Sequence, residues 1–359
     1  MLNRDQRIDI LRIFAAFWII LFHWWATVWG YPSVFPDTLS QFLYHASQLP
    51  LGLFYTISVL GDNAVPLFII ISAYCLTKKG IAGWSWLPKR LKKIIIPYWI
   101  ALIGTIPLLI LGWHFNPSLM QQADVKPLNF TTIVSAALLI QNNSPETFLA
   151  PVQAWWFIPI LVQLYLLYPL LRLLQKTLKI VGFLFTTALL QCLWNALTIV
   201  ELQHTQALPL GLRYSGPSYL LLYAIGMVLA QQQRLPSWSA GMILWIGGII
   251  MRFSTIRLIF FSETLIGTGL LLVGFPLVTT LINRTPYLAK KLATLGERYS
   301  YPIFLWHQPL IYLLLLALLP LVSKPLITIL PFVVVGIWAA ANSKKIPFER
   351  SQEPRRVHG

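Results

Sequence analysis

Residues 7–29 read RIDILRIFAAFWIILFHWWATVW, and this one stretch already indicates the class of protein. Its apolar run is long enough to cross a bilayer, which takes about 20 helical residues. The same run holds Arg12 and His23, eleven residues apart. Eleven residues return a helix to within about 20° of the same face, about 16 Å further along the axis. Ionisable groups at such depth are costly in lipid, so both are expected to face a protein interior or a wet cavity.

The composition extends this interpretation to the whole chain. Of its 359 residues, 57% are hydrophobic and 11% are charged, whereas a soluble domain carries about 25% charged residues. The pattern predicts an all-α integral membrane protein with about ten transmembrane helices, over residues 9–29, 57–77, 94–113, 154–174, 180–200, 216–232, 238–254, 262–282, 300–322 and 325–342. Residues 1–345 are expected to form one membrane domain and residues 346–359 a basic cytosolic tail. The apolar stretch 131–140 and part of 38–56 are too short to span, which predicts interfacial or re-entrant segments.

The basic residues orient these spans. With the N-terminus in the cytosol, 22 of the 27 Lys and Arg residues fall on the cytosolic side. The five on the other side are Lys126, Arg213, Arg252, Arg257 and Lys324. This asymmetry predicts that both termini are cytosolic. The net charge of +16 is then explained by orientation and by anionic lipid, which argues against a nucleic-acid partner.

The first span carries the strongest candidate for chemistry. Asp9 and Arg12 are three residues apart and can pair on one helix face. His23 lies deeper, and imidazole is the usual proton acceptor near neutral pH. An alternative is structural: Arg7 and Arg12 would extend to the inner interface, and His23, beside two tryptophans, would belong to an outer aromatic belt.

A basic cluster precedes the third span, formed by Lys89, Arg90, Lys92 and Lys93. Such a cluster can bind phosphates on the cytosolic side. The alternative is that these charges only set the topology.

His307 and Glu263 have two interpretations each. His307 lies between Pro302 and Pro309, so it either bonds backbone carbonyls that the prolines leave free or contacts substrate. The segment that contains Trp156 and Tyr165 is expected mostly to pack. Glu263, at the outer end of a span, either orients an acceptor hydroxyl or is simply interfacial. Cys75 and Cys192 give no disulfide framework, and the histidines are too scattered for a standard metal spacing.

Five segments of the chain resemble motifs of the membrane-bound acyltransferase 3 family, and they occur in the same order along the sequence. The opening resemblance is carried by Arg7, Asp9, Leu11 and Arg12, with His23 eleven residues further on. The other four are residues 67–74, 90–98, 156–169 and 295–309, the last of which ends in Leu305-Trp306-His307-Gln308-Pro309. Each motif alone is weak, but together they cover essentially the whole chain.

The resemblance implies a ten-helix enzyme that transfers an acyl group, by default acetyl, from cytosolic acyl-CoA to a hydroxyl of a cell-surface or secreted glycan or its lipid-linked precursor. It implies His23 as general base or acyl carrier, and Arg12 with the Lys89–Lys93 cluster as the phosphate site. The predicted residues are His23, Arg12 and Asp9 for catalysis; Arg7, Lys89, Arg90, Lys92 and Lys93 for CoA; and Ser72, Trp156, Tyr165, Glu263 and His307 for substrate. No metal and no permanently bound cofactor is expected, the expected location is the inner (plasma) membrane, and a homo-oligomer is possible.

Two departures from the family pattern stand out. Ala73 follows Ser72 where the family often has glycine, and Leu161 occupies a position where many members have glutamate. The chain is also expected to lack the additional hydrolase-like domain of some members. The competing functions are a proton-coupled transporter or flippase of a glycan intermediate, with His23 and Glu263 as a proton relay, and a catalytically inactive assembly subunit.

Overall fold

The computed structural model describes residues 4–30, 36, 38–80, 83–205, 210–232, 235–253, 256–318 and 321–343, and these residues form helices and loops without a strand. The helices are α1 (Arg4–Trp29), α2 (Leu39–Ser47), α3 (Leu51–Val59), α4 (Ala64–Lys78), α5 (Leu87–Phe115), α6 (Pro117–Gln122), α7 (Phe130–Ala137), α8 (Phe157–Thr177), α9 (Ile180–Thr205), α10 (Leu210–Arg213), α11 (Leu220–Leu229), α12 (Trp238–Arg252), α13 (Ile256–Arg284), α14 (Pro286–Leu318) and α15 (Lys324–Ser343).

The prediction of an all-α integral membrane protein is confirmed. In the described part of the chain, seven helical segments are long and apolar enough to cross a membrane: Gln6–Trp29, Leu51–Lys78, Leu87–Phe115, Gln153–Thr177, Ile180–Thr205, Phe261–Arg284 and Pro286–Leu318. Shorter apolar helices cover Gly216–Leu229, Trp238–Arg252 and Lys324–Trp338. Every predicted span therefore coincides with an apolar helix.

Two predicted boundaries were wrong. The second span begins at Leu51 rather than at residue 57, because α3 continues through a 3₁₀ turn at Leu60–Asn63 into α4. Helix α14 begins at Pro286, fourteen residues before the predicted start. Its first turns are polar, so a hydropathy pattern detects only the apolar part of a longer helix. The predicted basic tail at 346–359 lies outside the described residues.

Helix α1 lies at the centre of the bundle and α9 at its rim. In the apolar window of each span, 67% of the α1 segment is buried but only 22% of the α9 segment. Helix α1 contacts α14, α3, α4, α13 and α15. A helix at such a position can hold polar groups away from lipid.

The crossing of α1 and α14 depends on Gly296. A Cβ atom at this position would lie 1.8 Å from the carbonyl oxygen of Asp9. Only a residue without a side chain permits this approach, which is how small residues allow membrane helices to pack backbone to backbone. The contact fixes the register in which α14 follows α1.

Two prolines within helices leave a backbone carbonyl without its helical N–H partner. In each case the indole N–H of a tryptophan from another element donates to that carbonyl. Pro309 has no N–H for the carbonyl of Leu305, which instead accepts a hydrogen bond from Trp155 Nε1 at 3.1 Å. Pro331 likewise frees the carbonyl of Ile327, which accepts from Trp24 Nε1 at 3.0 Å. These bonds satisfy polar groups that lipid cannot, and they tie α14 and α15 to their neighbours.

The stretches expected to be too short to span are short helices. Helix α2 covers part of 38–56 and helix α7 most of 131–140. Helix α7 packs on α5, where Tyr98 Oη and Trp99 Nε1 donate to the carbonyls of Ala136 and Ala137.

Candidate functional site

The N-terminal half of α1 presents Arg12 to α4. Arg12 donates to the Asp9 carboxylate at 2.8 Å, the pairing expected from their spacing, and to Cys75 Sγ at 3.0 Å. Ser72 lies one turn before Cys75 on α4 and is partly buried. Arg7 is also partly buried, and its Nε has no hydrogen-bond partner among the described residues. One carboxylate and one thiol thus hold a guanidinium at this end of the bundle.

The predicted basic cluster divides into two parts. Arg90 turns inward, donates to Tyr165 Oη at 2.9 Å and lies 5.2 Å from the centre of the Tyr165 ring. Lys89, Lys92 and Lys93 are exposed. Tyr165, expected mostly to pack, is therefore the partner of the one basic residue of the cluster that enters the bundle.

Arg12 and Arg90 converge on the same part of α4. Both lie within electrostatic range of Cys75. The structure therefore joins the first and second candidate motifs, and it places two guanidinium groups near the N-terminal end of α1.

The central feature of the site is a pair of imidazole rings. The ring centroids of His23 and His307 are 5.1 Å apart and the ring planes meet at 46°. The two residues are only 4% and 5% exposed. Because each lies inside a membrane-spanning helix, this places two buried titratable groups side by side in the bundle.

The tautomer of His307 follows from one hydrogen bond. Its Nδ1 lies 2.7 Å from the carbonyl oxygen of Phe304, which can only accept, so Nδ1 carries the proton. In the neutral ring Nε2 is then the acceptor. This Nε2 is buried and has no hydrogen-bond partner among the described residues. In His307, one ring nitrogen therefore bonds the backbone while the other is available as an acceptor.

The residue after His307 holds α14 in place. Gln308 accepts from the backbone N–H of Ala154 at 2.7 Å and donates to Gln153 Oε1 at 3.0 Å. Gln153 in turn donates to the carbonyl of Asp124 at 3.0 Å and to its carboxylate at 3.2 Å. This buried network positions the His307 turn against the start of α8.

Trp156 and Glu263, both predicted to contact substrate, belong to one assembly with Arg213 and Tyr214, which we call the Arg213 group. The Trp156 and Tyr214 rings are 5.2 Å apart, and the Arg213 guanidinium lies 5.2 Å from the centre of the Tyr214 ring. Arg213 donates to Glu263 Oε1 at 3.0 Å. Glu263 Oε2 is buried with no hydrogen-bond partner in the described part of the chain.

Electrostatics favour the charged form of the Arg213 side chain. Burial opposes the positive charge, but the Glu263 carboxylate together with the Tyr219 and Tyr214 phenols outweighs it and raises the pKa of Arg213 above its ordinary value. The Arg213 group is therefore a charged and aromatic surface, with the Glu263 carboxylate held in place.

A second ion pair lies beside this group. Asp62, in the 3₁₀ turn between α3 and α4, pairs with Arg252 at the end of α12 and lies within electrostatic range of Glu263. A Cβ at the neighbouring Gly61 would lie 2.3 Å from the Trp18 carbonyl and 3.0 Å from Phe22 Cβ, so this turn packs on α1 close to His23.

The predicted site residues do not include Arg213, Arg252 or Asp62. One signal was present, because Arg213 and Arg252 are two of only five basic residues on the predicted outer side. A charge such as Asp62 within an apolar stretch is also a functional signal. What the sequence could not supply was the pairing of these charges with each other.

The arrangement has three parts: two guanidinium groups near the N-terminal end of α1, an imidazole pair shared by α1 and α14, and the Arg213 group. These parts can bind an anion, move a proton and accept hydrogen bonds from hydroxyl groups, respectively. Among the described residues no three His, Cys, Asp or Glu side chains come together in a way that could hold a metal ion.

Comparison with known proteins gives one match. A family model described as an acyltransferase domain, that of the acyltransferase 3 family, matches residues 5–342. No curated protein and no solved structure matches the chain. The matched region includes every predicted site residue.

Proposed function

The chain belongs to the membrane-bound acyltransferase 3 family, and we propose that it moves an acyl group, acetyl by default, from acyl-CoA to a hydroxyl of a cell-surface or secreted glycan or its lipid-linked precursor. Family membership makes it an acyl-transferring, multi-pass membrane enzyme. We further propose that it lies in the inner (plasma) membrane with both termini cytosolic, because most of its basic residues then face the cytosol.

The observation that carries the proposal is the buried pair of His23 and His307. His23 removes the proton of the acceptor hydroxyl, and the hydroxyl oxygen attacks the thioester carbonyl. A C–O bond forms, the C–S bond breaks, and the CoA thiolate leaves and takes the proton from the imidazolium. The basic Nε2 of His307 accepts a hydrogen bond from a neighbouring hydroxyl of the acceptor, which positions the attacking hydroxyl beside His23. General-base catalysis of this kind contributes about 10²–10⁴-fold.

The donor site lies at the cytosolic end of α1. Arg12 and Arg90 bind the phosphates of CoA as guanidinium groups, which match phosphate oxygens in geometry and charge. Asp9 and Tyr165 orient them. The flexible arm of CoA then runs along α1 toward His23, a distance of about 16 Å from Arg12 at helical rise.

The Arg213 group binds the sugar of the acceptor, whose reacting hydroxyl lies at the His23–His307 pair. Glu263 Oε2 accepts a hydroxyl hydrogen bond, and the Trp156 and Tyr214 rings offer an apolar surface to the faces of a sugar. Proton-coupled transport of the glycan intermediate is the alternative, and the buried His23 and His307 with the partly buried Glu263 would then form the relay.

The test is acyl transfer by the full chain in nanodiscs with labelled acetyl-CoA and a glycan pool. Wild type, His23→Gln and Arg12→Gln are compared with His114→Gln, a change at an exposed histidine. Loss of transfer in His23→Gln, weaker CoA binding in Arg12→Gln and normal transfer in His114→Gln support the proposal. Equal turnover in wild type and His23→Gln contradicts the mechanism. Dependence on a proton gradient without a covalent product indicates the transporter.

A further inference from the structure

A cavity of about 740 Å³ lies between α1, α14 and α15. Its size falls within the range of small-molecule sites, about 300–1,000 Å³. Its walls are almost entirely apolar and include Phe14, Phe17 and Leu21 of α1 and Leu310 and Leu314 of α14. Among its lining residues, His307 alone carries an ionisable side chain.

The cavity opens toward the surface that faces lipid. Phe14 is 47%, Leu314 44% and Val334 57% exposed, and all three line it. Helix α15 closes the far side, held to α1 by the bond from Trp24 Nε1 to the Ile327 carbonyl. A chain from the surrounding bilayer can therefore enter sideways without crossing a polar barrier.

Helix α1 separates this cavity from the donor site. Arg12 and His23 share one face of the helix, and Phe14, Phe17 and Leu21 lie roughly opposite, at about 100° per residue. His307 belongs to both sides, because its ring contacts His23 and also lines the cavity. The buried Nε2, which has no hydrogen-bond partner in the part of the chain that the structure describes, belongs to this same ring.

We propose that this cavity holds the hydrocarbon chain of a lipid-linked acceptor, whose polar head meets the His23–His307 pair. The proposal rests on the proposed acyl transfer and narrows its acceptor to one that carries a long chain. A soluble donor arrives through Arg12 and Arg90 on one side of α1, and a membrane-embedded acceptor arrives on the other. A long acyl chain on the donor is the less suitable occupant, since it would have to pass around α1 from the donor face.

A chain that leaves the bilayer for the cavity moves between two hydrocarbon environments. Binding therefore gains packing contacts rather than hydrophobic free energy. The main benefit is position, because a head group fixed beside His307 reacts as if it were highly concentrated.

Gly336 and Gly247 provide a matched pair of variants. A Cβ at either position meets no atom within 4 Å, so a larger side chain fits at both. Gly336 lines the cavity on α15, whereas Gly247 lies on α12, away from it. Gly336→Trp is expected to fill the cavity, and Gly247→Trp controls for a bulky group on a helix.

The experiment uses the full chain in nanodiscs and a hexadecyl glucoside with a photoreactive diazirine near the end of its chain. Labelled peptides are mapped, and CoA release from acetyl-CoA is measured separately. We expect labelling of α14 and α15, competition by unlabelled hexadecyl glucoside but not by hexadecanoyl-CoA, and no change in Gly247→Trp. In Gly336→Trp the labelling should fall by about tenfold, because the indole occupies volume that the hydrocarbon chain needs; a tenfold change in binding corresponds to about 1.4 kcal/mol.

Three results would overturn the proposal. Displacement of the probe by hexadecanoyl-CoA would assign the cavity to the donor chain. Labelling that hexadecyl glucoside does not displace would assign it to ordinary bilayer lipid. Equal labelling in both tryptophan variants would place the probe elsewhere. The CoA measurement separates the two proposals: specific labelling without CoA release supports the cavity assignment and contradicts acyl transfer, and CoA release without labelling does the reverse.

Discussion

His23 and His307 come from opposite ends of the chain, yet their imidazole rings lie 5.1 Å apart inside the bundle. Helices α1 and α14 bring them together, and Gly296 sets the register of that contact. A hydrogen bond from His307 Nδ1 to the Phe304 carbonyl leaves its Nε2 as a hydrogen-bond acceptor beside His23. The pair is therefore preorganised by backbone packing, which limits the reorganisation that proton transfer requires.

Gly296→Leu should destabilise the protein and reduce transfer. A side chain at residue 296 must displace the Asp9 carbonyl, and overpacking of this kind costs about 1–3 kcal/mol. Because α14 also carries His307, we expect a loss of acyl transfer in the fraction that stays folded. Gly247→Leu, where a Cβ meets nothing, should have neither effect. Unfolding in mixed detergent micelles measures the first effect, and near-equal midpoints for the two variants would contradict this description of the contact.

Arg90→Gln and Lys92→Gln should separate the two parts of the basic cluster. Arg90 points into the bundle, so its loss should raise the KM for acyl-CoA about 10- to 100-fold, the value of a charge-assisted hydrogen bond of about 1.5–3 kcal/mol. Lys92 is exposed, so its loss should raise the KM at most about fivefold. Steady-state kinetics with acyl-CoA as the varied substrate measure both. The reverse order would mean that the donor binds outside the bundle.

Glu263→Gln tests whether the Arg213 group binds acceptor or only stabilises the fold. The change leaves the Arg213 guanidinium without its ionic partner, which is expected to cost about 1–3 kcal/mol of stability. The double variant Arg213→Met/Glu263→Leu removes both charges and should recover most of that loss. The KM for acceptor should stay raised in the double variant. Recovery of both stability and acceptor KM would show that the group has only a structural role.

The sequence was sufficient for the parts of the structure that depend on one helix. Hydropathy located each span, although not the starts of the second span and of α14, and the spacing of Asp9 and Arg12 predicted their pairing. These features follow from the length of apolar runs and from helical periodicity. His307 does bond a backbone carbonyl, but it is that of Phe304 and not the Leu305 carbonyl that Pro309 leaves free.

The sequence was insufficient where two distant helices meet. The contact of His23 with His307 depends on how α1 crosses α14, and the pairing of Arg213 with Glu263 depends on a turn packing against α13. Periodicity does not determine either crossing. The inward turn of Arg90 among exposed lysines likewise depends on Tyr165 of α8, which no local pattern reveals.

The most direct test of the central claim is the rate of CoA release in a single turnover, measured for wild type, His23→Gln, His307→Gln and the double variant. Residues that act as a unit are strongly non-additive. We therefore expect each single change to lower the rate about 10²–10⁴-fold and the double change to add little to the larger of the two. A full rate in either single variant, or losses that multiply in the double variant, would contradict the claim that the two imidazoles act as one site.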